Sequence, residues 1–337
     1  MWSGTGALGR LPAWIAEHAG DHRAVVIADA TVAALHPDAL PGIPRLTFPA
    51  GERSKQRDTW AVLTDQLLAA GHDRQTLVVA FGGGVATDLA GFVAATLLRG
   101  VPWIAVPTTT LAMIDASVGG KTGVDTAHGK NLVGAFHPPR AVFADPAMLA
   151  TLPQSVFVAG LAEAVKHAAI ASVENWGWLD AHAEAILARE GSALDRLLAD
   201  AVALKADVVS ADEHEQDRRA ILNAGHTLGH ALEHASGYAL SHGHAVALGL
   251  LGEARLGERL GTTAAGTAAR IETMLARLQL PTVAPILRRE ALLAALAHDK
   301  KNRAGLVRTV LLHDIGAVAR PAGGGWTHAV PPEALLD

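Results

Sequence analysis

The chain of 337 residues is half hydrophobic and 18% charged with both signs mixed, the balance of a globular protein of about two domains. A formal net charge of −5 and the lack of any Lys/Arg run leave no electrostatic footprint for nucleic acid or for a membrane surface, so an anionic ligand has to be held by a local cluster of cations. The absence of cysteine excludes disulfides, thiolate metal sites and a cysteine nucleophile.

The opening MWSGTGALGR lacks a charged region followed by an apolar core, and no apolar stretch reaches the ~18–20 residues that span a bilayer. The expected compartment is therefore the cytoplasm. In chain order, Arg23 to Ala28 (RAVVIA) reads as a short buried strand closing on Asp29, and Asp58 to Ala70 has apolar positions at helical spacing. Leu77 to Phe81 (LVVAF) is a second strand that runs into Gly82, Gly83 and Gly84, after which Asp88 to Leu98 is helical. Val101 to Val106 (VPWIAV) is a third strand, ending at Pro107. Strands alternating with helices of this length predict a parallel α/β sheet. Beyond about residue 155, Ala/Leu-rich segments with a period near 3.6 take over: Ala159 to Ser172, Trp176 to Arg189, Ala193 to Val208, Ile221 to Ala235, His244 to Leu260 and Ala265 to Leu278. The expected organisation is an α/β domain over residues 1–153 and a mostly α-helical domain over 154–337, with Pro321 to Gly325 as a loop.

Three regions carry chemistry. Strand, three glycines and helix is the layout in which backbone N–H groups approach a pyrophosphate at a helix N-terminus, because a Cβ would hinder the approach. The match to the dinucleotide spacing is imperfect, and a tight strand-to-helix turn is the alternative. Asp29 stands where an acidic residue accepts from ribose hydroxyls, and Thr108, Thr109 and Thr110 follow a strand end where open α/β sheets put ligand loops, or else cap a helix. The second region, Asp115 to Phe136 (DASVGGKTGVDTAHGKNLVGAF), sets Lys121 and Lys130 among glycines, with Asn131 beside the second lysine. Such lysines suit a backbone wrapped around phosphate. A solvated surface loop is the alternative, against which Ala116, Val118, Val124, Leu132, Val133 and Phe136 argue.

The third region, Asn223 to Val246 (NAGHTLGHALEHASGYALSHGHAV), carries five histidines. His226 and His230 share a helical face, and His242 and His244 follow a Gly-containing turn. Glu163, in GLAEAVKHA with Lys166 one turn later, is the best carboxylate partner. Two histidines and a glutamate make a divalent-metal site with open positions, but spacing does not select which imidazoles bind.

The blocks FGGGVATDLAGF, RGVPWIAVPTTTLAMIDASVGGKTG, GKNLVGAF, GLAEAVKHA, DEHEQDRRAILNAGHTLGH and SHGHAVALG, in this order over roughly residues 20 to 315, resemble those of the 3-dehydroquinate synthases, within the sugar phosphate cyclase superfamily. The resemblance implies a Rossmann-like N-terminal domain, a helical C-terminal domain and an active site in the cleft between them. It implies Glu163, His226 and His242 as ligands of zinc or cobalt. For NAD it implies Asp29, Glu52, Lys55, Gly83, Gly84, Asp88, Thr108, Thr109 and Leu111, with Asp115, Lys121, Lys130 and Thr151 near the cofactor. For a small sugar phosphate it implies Asp115, Lys121, Asn131, Lys166, Lys205, Arg219, Asn223, His230 and one lysine of the Asp299-Lys300-Lys301 run, here Lys300. Arg99 is similar to an arginine that reaches the phosphate of the neighbouring subunit's substrate, which implies a homodimer. Three positions depart from the family pattern. Thr31 stands for a usual Asn, His244 for a frequent Glu and Asp125 for a common Asn.

The implied reaction converts 3-deoxy-D-arabino-heptulosonate 7-phosphate to 3-dehydroquinate and phosphate. It proceeds by transient oxidation, β-elimination, reduction and intramolecular aldol closure, within the shikimate pathway. The rivals are another cyclase, of the aminodehydroquinate or 2-epi-5-epi-valiolone synthase type, and a metal-dependent polyol dehydrogenase. A carboxylated substrate is favoured by the full cationic set of Lys205, Arg219 and Lys300 together with Asn223.

Overall fold

A computed structural model describes residues 1–20, 22–297 and 305–336. Lys300, with its neighbours Asp299 and Lys301, lies outside the described residues. The chain divides into two compact units, one of Met1–Pro153 with Leu194–Val202 and the other of Gln154–Ala193 with the residues from Ala203 onward.

In the first unit the elements are β1 (Trp2–Ser3), α1 (Leu11–His18), β2 (Arg23–Asp29), α2 (Ala30–Leu35), β3 (Arg45–Phe48), α3 (Arg57–Ala69), β4 (Thr76–Gly82), α4 (Gly84–Thr96), β5 (Trp103–Pro107), β6 (Lys121–Thr126), β7 (Gly129–Phe136) and β8 (Ala141–Ala144). Six strands form one parallel sheet in the order β1-β8-β5-β4-β2-β3. Every residue of β4 is buried. Alternate side chains supply two apolar clusters: Val25, Ile27, Val78, Ala80 and Ala105 pack with α3 and α4, whereas Val26, Ala28, Val79, Phe81, Ile104 and Val106 pack with Leu11 and Ala19. A sheet covered on both faces needs apolar residues at every position, which is why these strands read as unbroken runs. From β2 the chain moves outward to β3 and then returns to place β4 on the other side of β2. The strand order therefore reverses between β2 and β4, the point at which open α/β sheets bind ligands outside their carboxyl ends. This is the expected Rossmann-like architecture.

The lysine-bearing segment, expected to wrap as a glycine-rich loop, is a two-stranded antiparallel ribbon in which Lys121 pairs with Phe136 and Val124 with Val133. Its buried Val124 and partly buried Val133 join the core beside α4, which gives the segment strand-forming cause. Residues Leu194–Val202, expected in the helical domain, group with the first unit, where the Asp195 carboxylate accepts from the Thr5 N–H at 2.8 Å.

The second unit is mostly helical: α5 (Gln154–Ala171), α6 (Val173–Ala181), α7 (Ala183–Leu187), α8 (Gly191–Ala211, whose middle belongs to the first unit), α9 (His226–Ala235), α10 (His242–Arg259), α11 (Thr267–Arg277) and α12 (Arg289–Ala297). Short antiparallel pairs β9 (Val307–Thr309) with β12 (His328–Val330), and β10 (Leu312–Asp314) with β11 (Ala317–Val318), complete it. The helix expected over Trp176 to Arg189 is two helices parted at His182. The one expected over Ile221 to Ala235 begins only at His226, because Gly225 takes a left-handed conformation (φ +76°). Among the described residues no helix is long and apolar enough to cross a membrane.

Candidate functional site

In the first unit, three adjoining strand ends gather the residues expected around a nucleotide. Asp29 closes β2, and its Oδ1 accepts from the N–H groups of Thr31 at 2.7 Å and Val32 at 3.2 Å, capping α2. The departure at Thr31 therefore meets Asp29 through its backbone. Next to it, Gly82 ends β4 at φ +155°, where a Cβ would stand 2.6 Å from that of Ala86 and 3.3 Å from that of Asp29. The glycine is needed for the turn itself, so the tight-turn explanation and an open approach to α4 hold together. The N-cap of α4, Gly83, offers no side chain, which leaves the first N–H groups of a thirteen-residue helix free of side-chain caps. Thr108 donates its N–H to the Gly82 carbonyl at 2.9 Å, and its hydroxyl is buried without a hydrogen-bond partner, as is that of Thr110. Thr109 does cap, accepting from the Ala112 N–H at 3.2 Å. Leu111 then opens a single π-helical turn, Ala112–Ala116, that carries the half-buried Asp115. Uncapped helix N–H groups and orphaned buried hydroxyls at the carboxyl ends of neighbouring central strands fit a pyrophosphate-bearing cofactor.

Thr151 is held by His36, whose Nε2 lies 2.8 Å from the Thr151 hydroxyl. His36 was not anticipated, and an isolated histidine after α2 gives no sequence signal. Glu52, Lys55, Asp88, Lys130 and Asn131 join one network. Lys55 Nζ, 4% exposed as a residue, lies 2.7 Å from Asp88 Oδ2 and 3.7 Å from Glu52 Oε1, and Lys130 Nζ lies 3.8 Å from Glu52 Oε1. Burial opposes the charge on Lys55, but Asp88 and Glu52 outweigh it and raise its pKa. The unusual Asp125 sits between these groups. It donates its N–H to the Lys55 carbonyl at 2.7 Å, and its carboxylate accepts from the Asn131 N–H at 2.8 Å. That bond steadies Asn131 at a left-handed φ of +53°. Burial raises the Asp125 pKa. Lys121 is exposed at the start of β6. Arg99 is exposed too and left-handed (φ +71°) just after α4.

In the second unit, α5, α9 and α10 bring Glu163, His226 and His242 together, with one ligand atom from each lying within 4.8 Å of the others. His226 donates through Nδ1 to the Ala224 carbonyl at 3.1 Å, which leaves Nε2 3.7 Å from Glu163 Oε1. His242 turns Nδ1 to Glu233 Oε2 at 3.0 Å and Nε2 to Glu163 Oε1 at 3.6 Å. Both rings are thus oriented by the nitrogen that faces away from the carboxylate, as in metal sites whose imidazoles are fixed by outer hydrogen bonds. The donor set fits a divalent ion with open positions. His244, partly buried, belongs to no such group among the described residues. Glu163 is fully buried and paired with the buried Lys166. Burial opposes charge on His242, but Glu163 and Glu233 outweigh it and hold its pKa at about 10. Burial, and then Lys166, push His226 well below the ordinary value.

His230, exposed on the same face of α9, has its ring centroid 5.2 Å from that of His226 and 5.9 Å from that of His242. Lys205 and Arg219 are buried cations. Arg219 donates from Nη1 to the Glu213 carbonyl at 2.5 Å, and Asn223 donates from Nδ2 to Glu215 Oε1 at 2.7 Å. The Asp212 carboxylate organises this loop by accepting from the N–H groups of Gln216, Asp217 and Arg219. Glu233 was missed from sequence, although its place seven residues after His226 sets it on the same helical stripe.

A Rossmann-like unit followed by a helical unit that carries a Glu-His-His cluster is an arrangement similar to that of the solved sugar phosphate cyclases. A solved 2-deoxy-scyllo-inosose synthase complexed with carbaglucose-6-phosphate, NAD+ and Co2+ is similar at a TM-score of 0.89 and 26% identity, covering 99% of this chain and 94% of that one. A 2-epi-5-epi-valiolone synthase from Streptomyces hygroscopicus, with NAD+ and Zn2+ bound, is similar at 0.86 and 29%, covering 97% and 92%. Family models match residues 45–159 as 3-dehydroquinate synthase N-terminal and 160–302 as 3-dehydroquinate synthase C-terminal. The chain is 47% identical over 329 residues to the 3-dehydroquinate synthase of Rhodospirillum rubrum, covering 93% of this chain and 86% of that one. It is 44% identical over 328 residues to that of Halorhodospira halophila, covering 96% and 91%. The chain belongs to the 3-dehydroquinate synthase family.

Proposed function

We infer that the chain converts 3-deoxy-D-arabino-heptulosonate 7-phosphate to 3-dehydroquinate and phosphate, with NAD and a zinc or cobalt ion as resident cofactors. The observation that carries this reading is the convergence of Glu163, His226 and His242 in a chain matched over residues 45–302 by both halves of the family. When bound, NAD and the metal supply reversible oxidation of one carbinol and polarisation of its oxygen.

The chain's own residues do the rest. Gly83 and Gly84 present backbone N–H groups to the pyrophosphate, while Asp29, Thr108, Thr109, Leu111 and Thr151 hold the remainder of the cofactor with Glu52, Lys55, Asp88, Asp115, Lys121 and Lys130. Glu163 and the Nε2 atoms of His226 and His242 hold the metal. Lys121 and Lys166 stabilise the departing phosphate by charge and Asn131 by hydrogen bonding, and Asp115 orients the substrate. His230 takes the proton from the substrate hydroxyl towards solvent, to which it is exposed. Lys205, Arg219 and Asn223, together with Lys300, hold the carboxylate and the ring. Arg99 serves the phosphate of a neighbouring subunit in a cytoplasmic homodimer. Identity to 3-dehydroquinate synthases of 44–47%, against 26–29% for the solved cyclases above, supports the carboxylated substrate.

The test is phosphate release from the heptulosonate phosphate with NAD and zinc or cobalt present, NADH absorbance being followed in parallel. Phosphate and dehydroquinate without net NADH, abolished by a chelator, are expected. Stoichiometric NADH without phosphate would instead indicate a polyol dehydrogenase, and turnover of only the amino analogue an aminodehydroquinate synthase.

A further inference from the structure

Glu253, on α10, is 2% exposed and lies outside the Glu-His-His set. Its carboxylate faces the beginning of α9. Oε2 accepts from the Gly225 N–H at 2.7 Å and Oε1 from the Leu228 N–H at 3.1 Å, with the Thr227 N–H also contributing. A helix leaves its first N–H groups unsatisfied, and the preceding side chain ordinarily caps them. Here the preceding residue is Gly225, which has no side chain to offer. Nor can it gain one, since a Cβ would stand 2.7 Å from the Val246 carbonyl oxygen at a backbone φ of +76°. Gly249, one turn before Glu253, meets the backbone of Gly225 and Gly229, so the two helices cross at backbone distance and the carboxylate comes within reach.

The N–H groups that Glu253 holds bracket His226, one residue before it and two after it. A buried carboxylate is a costly cap, and it is placed where the helix start also aims a ligand. We propose that Glu253 is a positioning residue for the metal centre, capping α9 from the neighbouring helix and so fixing the direction in which His226 Nε2 points at Glu163. This rests on the reading that Glu163, His226 and His242 hold the metal.

The experiment is a Co2+ titration of the full-length chain, read by visible absorption, for wild type, Glu253→Gln, Glu253→Ala and His226→Ala, with NAD affinity measured alongside. Groups that hydrogen-bond a metal ligand directly are worth about 10–100-fold in metal affinity. Glu253 acts one step further out, through the backbone on either side of His226, which puts its effect at the lower end. Glu253→Gln keeps one acceptor and is expected to weaken Co2+ binding about tenfold, and Glu253→Ala more, each with an altered Co2+ spectrum and unchanged NAD affinity. Wild-type affinity and spectrum in both Glu253 variants, even at lower thermal stability, overturn the proposal while the metal reading stands. Binding unaffected by His226→Ala overturns both. Should the variants not fold, hydrogen exchange on wild type decides. Added Co2+ must slow exchange at the amides of Gly225, Thr227 and Leu228, and unchanged rates there overturn the proposal.

Discussion

The Nδ1 of His242 lies 3.0 Å from Oε2 of Glu233, so the first residue of α10 is held by the last turn of α9. Glu233 is buried, and its oxygen fixes which ring nitrogen of His242 is left for Glu163. Glu233→Gln is expected to lower metal affinity by about 10–100-fold while leaving NAD affinity unchanged. Competition against a chromophoric chelator measures the first and fluorescence titration the second. Equal metal affinity in variant and wild type would mean that the ring is held by something else.

Lys55 is a buried cation of the first unit, shared by Asp88 and Glu52. Lys55→Met leaves the part-buried Asp88 without its 2.7 Å partner. Removing one member of a fully buried pair costs about 3–5 kcal/mol, and partial exposure of Asp88 puts the loss below that range, so the urea midpoint should fall and NAD binding weaken with it. A variant as stable as wild type would show Asp88 to be solvated by other means.

Burial pushes the Glu253 carboxyl up to about 7, against the pull of the Leu228 and Gly225 N–H groups. The ordinary value is 4.5. Between these two values the folded chain keeps a proton that the unfolded chain has lost. The contribution of Glu253 to stability is therefore greatest at the acid end and is lost as pH rises through about 7. Relative to Glu253→Gln, the metal-free wild type should lose stability across that range, by on the order of 3 kcal/mol at most. Urea unfolding of both chains at several pH values gives the comparison, and parallel curves would contradict it.

Asp212 has the opposite sign. The N–H groups of Gln216 and Asp217 hold its pKa below the ordinary 3.8, so its contribution is present above that value and is lost only as pH falls through the lowered one. The loop that carries Arg219 is thus pinned at any physiological pH. Asp212→Ala should raise KM for the sugar phosphate about tenfold with a smaller change in kcat, as expected when a group that positions substrate is loosened. Steady-state kinetics separate the two, and a fall in kcat alone would reject this role for the loop.

Much of the sheet is legible in the sequence because β2, β4 and β5 are covered on both faces and spell continuous apolar runs. The strands β3 and β8 escape that reading. Each has four residues, RLTF and AVFA, too few for a period to show. The ribbon β6–β7 was hidden by its glycines and lysines, which suggest a loop until Val124 is seen to join the core. In the helical unit Gly225 was a visible breaker inside an otherwise periodic segment, and its left-handed turn decides where α9 begins. The ligand types Glu and His were readable from clustering. Glu253 was not, since its partners lie 28 and 25 residues away along the chain.

The helix α9 runs for ten residues and sets His226, His230 and Glu233 along one stripe. A proposed ligand, a proposed proton carrier and the carboxylate that orients another ligand are therefore geared to a single rotation. Losing one residue between Gly225 and Glu233 would swing part of that stripe by about 100°. Natural or laboratory evolution can then vary this stretch by substitution but not by insertion or deletion. Glu163 and His242 arrive on separate helices, α5 and α10, but the ring of His242 stays tied to α9 through Glu233, so only Glu163 stands apart from that rotation.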